Sequence, residues 1–135
     1  GFPYCHEGKI ADPDVKKANP CEGVDQPVAL MGPHAATMGV MFYTGTMFPP
    51  EYRNVLFNAR KGSWNRTQKI GCDVVTVRAT ADGKNAKVEP FMTGFMDPAT
   101  QNFWGRPAYM TQLPDGSMLV SDEQLGAIYR ITYSR

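Results

Sequence analysis

The chain has 135 residues, a formal net charge of +1, and is 42% hydrophobic and 11% aromatic. Its basic residues are scattered, and the densest cluster, at 60–66, is short and mixed with Gly, Ser and Trp, which excludes a nucleic-acid footprint. No apolar run approaches the ~20 residues that span a bilayer, and the length allows one compact domain with a modest core. The chain opens on Gly1-Phe2-Pro3 without a signal peptide or initiator Met, as a mature or cleaved product would. Thirteen Gly and eleven Pro imply many turns and point to an all-β architecture.

Residues 1–30 carry Pro3, Pro13, Pro20 and Pro27 without periodicity and read as an ordered loop excursion. Strands then follow in quick succession. The first is predicted at 38–44 (MGVMFYT) and the second at 54–59 (NVLFNA), with the turn-rich Phe48-Pro49-Pro50 between them. Residues 72–79 (CDVVTVRA) alternate and are β-branched, the clearest strand pattern in the chain. A hairpin turn at 81–84 leads to a fourth, outer strand at 87–93, where Pro90 suits an edge. Residues 97–104 cross to a second sheet, with strands at 108–113, 117–121 and 127–133. Pro114-Asp115-Gly116 and the polar 122–126 connect them. No segment longer than one turn has helical spacing.

Two units share one order of strands and turns: four strands over 38–93 and three over 107–133. A three-stranded unit whose last strand has no partner is what a propeller blade looks like when its fourth strand comes from elsewhere. The expected fold is therefore all-β, about two blades of a six-bladed β-propeller, the last lacking its outer strand. Propellers close with about 4–8 blades, and two blades alone leave both flanks of the stack open to water. The chain 1–135 is thus expected to be the C-terminal portion of one propeller domain. Three copies closing a ring, or a self-contained β-sandwich, are the alternatives.

Three cysteines are present. A Cys5–Cys21 disulfide would restrain the Pro-containing loop between them. Cys72 is left over, either buried at the start of a strand or paired outside this chain. The spacings match no zinc or haem pattern.

Several motifs resemble one family. Gly-Pro-His-Ala (32–35), Phe-Tyr-Thr-Gly (42–45), Phe-Pro-Pro-Glu-Tyr-Arg-Asn (48–54), Gly-Ser-Trp-Asn-Arg (62–66), Phe-Met-Thr-Gly-Phe (91–95), Trp-Gly-Arg-Pro (104–107), Leu-Pro-Asp-Gly-Ser (113–117) and Leu-Val-Ser-Asp (119–122) are similar to words of the sorbosone dehydrogenase group. That group belongs with the soluble pyrroloquinoline-quinone (PQQ) dependent aldose dehydrogenases. The opening Gly-Phe-Pro-Tyr-Cys also resembles a Gly-Trp-Pro-Tyr-Cys element of that family. The resemblance covers nearly the whole chain and implies a six-bladed propeller of several hundred residues, of which this is the C-terminal third. In such propellers an N-terminal segment supplies the missing outer strand. The resemblance further implies a periplasmic or secreted quinoprotein that oxidises a sugar or aldehyde by hydride transfer to PQQ. Ca²⁺ polarises the quinone, a base (usually His) takes the proton, and a cytochrome or quinone accepts the electrons. The base and the calcium ligands are expected in earlier blades. No catalytic or metal-binding residue is assigned to this chain, which alone should be inactive.

In a propeller, the loops 31–35, 60–68, 103–107 and 122–125 would gather at one end of the central channel. PQQ needs cations for its carboxylates and flat surfaces for its ring. Arg106, fixed between Gly105 and Pro107, is the first candidate cation, with Arg60 and Lys61 at the end of the second strand. Relatives in that family carry Ala-Glu-His-Gly where this chain has Ala-Arg-Lys-Gly (59–62), so Lys61 replaces a channel-facing His. Trp64 and Trp104 either stack on cofactor or sugar or pack between blades. Asn65 and Arg66 organise their loop and can reach the site, and His34 is a candidate donor to substrate or quinone. Asp122 and Glu123 read as a solvated turn, with contact to sugar hydroxyls as the alternative. The contrasting function is a non-catalytic propeller that binds carbohydrate or protein.

Overall fold

A computed structural model describes residues 1–134; Arg135, the last residue of the expected propeller portion, lies outside them. The fold is all-β, and its only helical feature among the described residues is one 3₁₀ turn, Pro50–Tyr52. The chain divides into two compact units, Gly1–Leu30 and the residues from Met31 on.

The first unit holds a small antiparallel hairpin, β1 (Cys5–His6) and β2 (Ile10–Ala11). Glu7 and Gly8 both have positive φ, which turns the chain tightly, and Lys9 N donates back to His6 O at 3.1 Å. Two-residue strands have no period to display, so a reading based on prolines takes this segment for loop throughout. Cys5 and Cys21 are bonded, with Cα atoms 5.1 Å apart. The His6 ring meets Asp12 at 2.6 Å, and Gln26 Nε2 donates to Gly8 O at 2.7 Å.

From Met31 on, two meandering sheets pack together. The first joins β3 (Thr37–Phe42), β4 (Leu56–Arg60), β5 (Asp73–Arg78) and β6 (Lys87–Met92) in sequence order. The second joins β7 (Pro107–Gln112), β8 (Met118–Asp122) and β9 (Ala127–Ile131). Every pairing is antiparallel. The strands fall within two residues of their expected limits at most ends. Pro90 lies on β6, an edge strand, the place in a sheet where proline is tolerated. No further strand pairs with the far side of β9 among the described residues.

The core lies between the sheets. Tyr43, Phe57, Ala59 and Val74 of the first meet Met118 and Val120 of the second, and Phe48, Tyr52 and Phe91 extend the cluster. The two first strands approach unusually closely. A Cβ on Gly39 would lie 2.7 Å from Ala108 O and from Tyr109 Cα, so only glycine fits there. Both first strands also carry a register shift near their start, between Thr37 and Val40 and between Pro107 and Met110. Arg60 and Asp122 therefore hold equivalent places in the two sheets, opposite Thr37 and Pro107. The buried Tyr43 hydroxyl couples the sheets: it donates to Gly116 O at 2.7 Å and accepts from Met47 N and Phe48 N at 3.1 Å.

Apolar side chains remain on the outward faces. Val40 and Phe42 of β3 alternate with the core-facing Gly39 and Met41 and are 60% and 62% exposed. On the second sheet Tyr109 and Ile128, 60% and 70% exposed, face away from Met110, Val120 and Tyr129.

Candidate functional site

Antiparallel register places the start of β3, the end of β4 and the start of β5 at one end of the first sheet, through the partners Thr37, Arg60 and Asp73. Pro107, Asp122 and Ala127 do the same for the second. The loops leaving these ends are held to one another by backbone. Lys61 N donates to Ala36 O at 3.0 Å and Gly62 N to Ala35 O at 3.1 Å. Within the next loop Ser63 N donates to Ile70 O at 3.1 Å, and Ile70 N to Ser63 Oγ at 2.9 Å. Left-handed backbone concentrates here: His34, Ala36, Asn65 and Cys72 all have positive φ. Such conformations cost energy in residues other than glycine and persist only where the surroundings impose them.

The candidate cations meet different fates. Arg60 is committed elsewhere. Its Nε and Nη2 donate to the two oxygens of its cross-strand partner Asp73, at 2.8 and 2.5 Å, and Nη1 donates to Met31 O at 3.2 Å. Arg66 braces its loop, donating to Gln68 O at 2.8 Å and Pro33 O at 3.4 Å. Lys61 and Arg106 come together over one carboxylate. Lys61 Nζ lies 2.7 Å from Glu123 Oε2, and Arg106 Nη1 lies 3.2 Å from Glu123 Oε1. Arg106 is also held by contacts that do not involve Glu123: its Nε donates to Lys61 O at 3.1 Å, and its guanidinium lies 5.4 Å from the Phe103 ring centre. Lys69 approaches the same ring at 4.9 Å while its Nζ donates to Gln101 O at 2.7 Å.

The exposed turn expected here begins at Glu123, whereas Asp122 is buried at the end of β8. Asp122 is 2% exposed. Its Oδ1 accepts from the backbone N–H of Arg106, Gln124 and Leu125 at 2.9 to 3.1 Å, and its Oδ2 from the Tyr129 hydroxyl at 3.1 Å. Burial pushes its carboxyl up, but these hydrogen bonds together hold it below the ordinary range. Asp122 thus ties the loop before β7 to the loop after β8, and Glu123 N adds a bond to Arg106 O at 3.2 Å. The carboxylate of Glu123, one residue on, is left to bridge the two cations. Cys72 is buried, unpaired among the described residues, and its Sγ lies 3.7 Å from Lys61 O. Burial raises its thiol above the ordinary value, which disfavours the thiolate.

Trp64 leaves its indole 71% exposed, with the His34 ring set edge-on 5.9 Å away. Asn65 takes the left-handed turn that follows and is exposed. Trp104 anchors its loop by donating its backbone N–H to Phe95 O at 2.9 Å, and its side chain is half exposed. Glu123, Phe103 and Lys69 were missed as site residues from sequence. Phe103 and Glu123 fall within the loops 103–107 and 122–125 that the sequence places at the channel end, without a contact assigned to either side chain, and Lys69 lies just past the loop 60–68. Among the described residues no three His, Cys, Asp or Glu side chains are grouped to hold a metal ion. No helix there is long and apolar enough to cross a membrane.

Fold and site together define an all-β chain with two packed antiparallel sheets and a carboxylate-bridged cation pair on the loops at one end. No family model matches the chain. It is 37% identical over 103 residues to an uncharacterized protein of Borreliella burgdorferi, an alignment covering 76% of this chain and 27% of that protein. Among solved structures it is similar to the holo form of the PQQ domain of pyranose dehydrogenase from Coprinopsis cinerea. That match has 22% identity and a TM-score of 0.49, and covers 75% of this chain and 27% of the other. The chain thus spans about a quarter of the length of each.

Proposed function

We propose that this chain forms about two blades of a six-bladed β-propeller in a PQQ-dependent dehydrogenase that oxidises a sugar or an aldehyde. The observation that carries this reading is the clamp of Lys61 and Arg106, which grips a single carboxylate through both of its oxygens. PQQ is a planar tricarboxylate, and this donor set fits it. Lys61 and Arg106 would hold one carboxylate, and the exposed Trp64 indole, edged by His34, offers a flat surface for the ring. When bound, PQQ supplies the quinone that takes up hydride. The residues of this chain bind and orient: Arg106 is aimed by Lys61 O and Phe103, and Asp122 fixes the loop that carries it. Arg60, paired with Asp73, shapes the rim instead of contacting the cofactor. The side chains of the described residues do not fit Ca²⁺. The base and any calcium ligands belong to earlier blades on this reading, and the chain alone is inactive.

The outward apolar side chains of both sheets and the free edge of β9 support neighbouring blades and an added outer strand as partners. The Cys5–Cys21 bond supports a periplasmic or secreted setting. A cytochrome or quinone would take the electrons. One observation favours the contrasting reading, a non-catalytic propeller: the clamp is already satisfied by Glu123. The intact protein supplied with PQQ and Ca²⁺ decides between them. Dye reduction on adding an aldose or aldehyde, lost in Arg106→Ala, supports the dehydrogenase. PQQ that neither binds nor turns over would leave the binding propeller.

A further inference from the structure

We infer that Glu123 is a displaceable internal carboxylate, occupying the Lys61–Arg106 clamp until an incoming ligand carboxylate takes its place. The inference deepens the reading above and rests on the clamp being the ligand site. Three features of the geometry support it. First, Glu123 meets each cation with a separate oxygen, at 2.7 and 3.2 Å, the arrangement a ligand carboxylate would adopt. Second, the Arg106 guanidinium and the Lys61 backbone are held by contacts that do not involve Glu123. Arg106 Nε rests on Lys61 O at 3.1 Å with Phe103 against the guanidinium, and Lys61 N is bonded to Ala36 O at 3.0 Å. Third, the loop beneath Glu123 is fixed by the buried Asp122, whose carboxylate takes three backbone N–H groups and the Tyr129 hydroxyl. The Glu123 side chain is 39% exposed, whereas those of Lys61 and Arg106 are each 24% exposed. It can therefore swing into solvent by rotating its own bonds while the backbone stays in place.

The exchange replaces one carboxylate by another, so the two part-buried cations carry a counter-charge both before and after it. Glu123 thus competes with any ligand for the same two donors and sets a threshold of affinity. A neutral sugar cannot displace it, whereas a carboxylate-bearing ligand can. Partly exposed ion pairs are modest in strength, so removing the competitor should tighten binding about tenfold, or ~1.4 kcal/mol.

The test is calorimetric titration of the intact protein and its Glu123→Gln variant with PQQ and, separately, with citrate, a tricarboxylate without a quinone. Gln keeps the size of Glu but has one acceptor oxygen where Glu has two, its NH2 being unable to accept from the second cation, and Glu123→Ala guards against a compensating contact from the new amide. About tenfold tighter binding of both probes in both variants is the expected result. Tightening for citrate with no PQQ binding to any of the proteins would uphold displacement while removing the cofactor assignment. Unchanged or weaker binding of both probes in both variants would overturn the inference.

Discussion

Arg106 donates from its Nε to the carbonyl oxygen of Lys61 at 3.1 Å, joining the loop before β7 to the loop after β4. One hydrogen bond thereby sets the spacing of two cations that come from different sheets. Arg106→Ala should remove both this link and half of the clamp. We expect PQQ binding by the intact protein to weaken at least tenfold in calorimetry. Stability should fall by only about 1 kcal/mol in urea, since the side chain is partly solvated. Unaltered binding would remove Arg106 from the site.

Tyr43 anchors the opposite end of the stack. Its hydroxyl serves Gly116 O, Met47 N and Phe48 N, and the ring is wholly buried against Phe48 with centroids 4.6 Å apart. Tyr43→Phe keeps the packing and leaves Gly116 O, Met47 N and Phe48 N short of a partner, the first and last of them buried. Equilibrium denaturation should show a loss of about 2–4 kcal/mol. A loss under half a kcal/mol would mean that water replaces the hydroxyl.

Gly39 is required by proximity. Gly39→Ala would drive a methyl group to 2.7 Å from the backbone of Ala108 and Tyr109, so β3 and β7 must separate. The expected cost is about 1–3 kcal/mol, read as a lowered urea midpoint with little change in far-ultraviolet dichroism. An unshifted midpoint would show that the strands part freely.

Asp122 makes stability pH-dependent in a defined direction. Its carboxyl lies below the ordinary value of 3.8 in the folded protein, so the folded state favours the charged form. That contribution is fully present above the unfolded value and is lost as pH falls through the folded one. The urea midpoint of the wild type should decline as pH drops from about 4 towards acid. Asp122→Asn should be less stable at pH 7 and show a shallower decline. Parallel pH profiles would sink the assignment.

The Cys5–Cys21 bond closes a loop with a sequence separation of 16. Constraining a loop of this size contributes about 3 kcal/mol. In hydrogen exchange, a Cys5→Ser/Cys21→Ser protein should lose protection at Cys5–His6 and Ile10–Ala11. Protection in β4 and β5 should survive, and retention throughout would count against the role given to the bond.

The strands were legible in the sequence because their causes are local. Residues 73–78 (DVVTVR) are rich in β-branched side chains, Pro114-Asp115-Gly116 carries its own turn, and Pro90 marks an edge without reference to anything distant. The hairpin at Cys5–His6 escaped notice because two residues per strand leave no pattern. The words Gly-Ser-Trp-Asn-Arg and Trp-Gly-Arg-Pro located the loops that carry the site, but not what each side chain there does. Arg60 and Lys61 are neighbours in the chain and equal as cations. Register alone sends Arg60 to Asp73, while the packing of the two sheets sends Lys61 to Glu123. Asp122 and Glu123 are likewise adjacent acids, one buried as a brace and the other left to bridge the clamp. A charge's role depends on which partner is within reach and how much water remains, and both are set by contacts between residues far apart in the chain. Local pattern therefore wrote the strands and turns, and only the tertiary structure decided which charges pair, which are buried, and which remain available for a ligand.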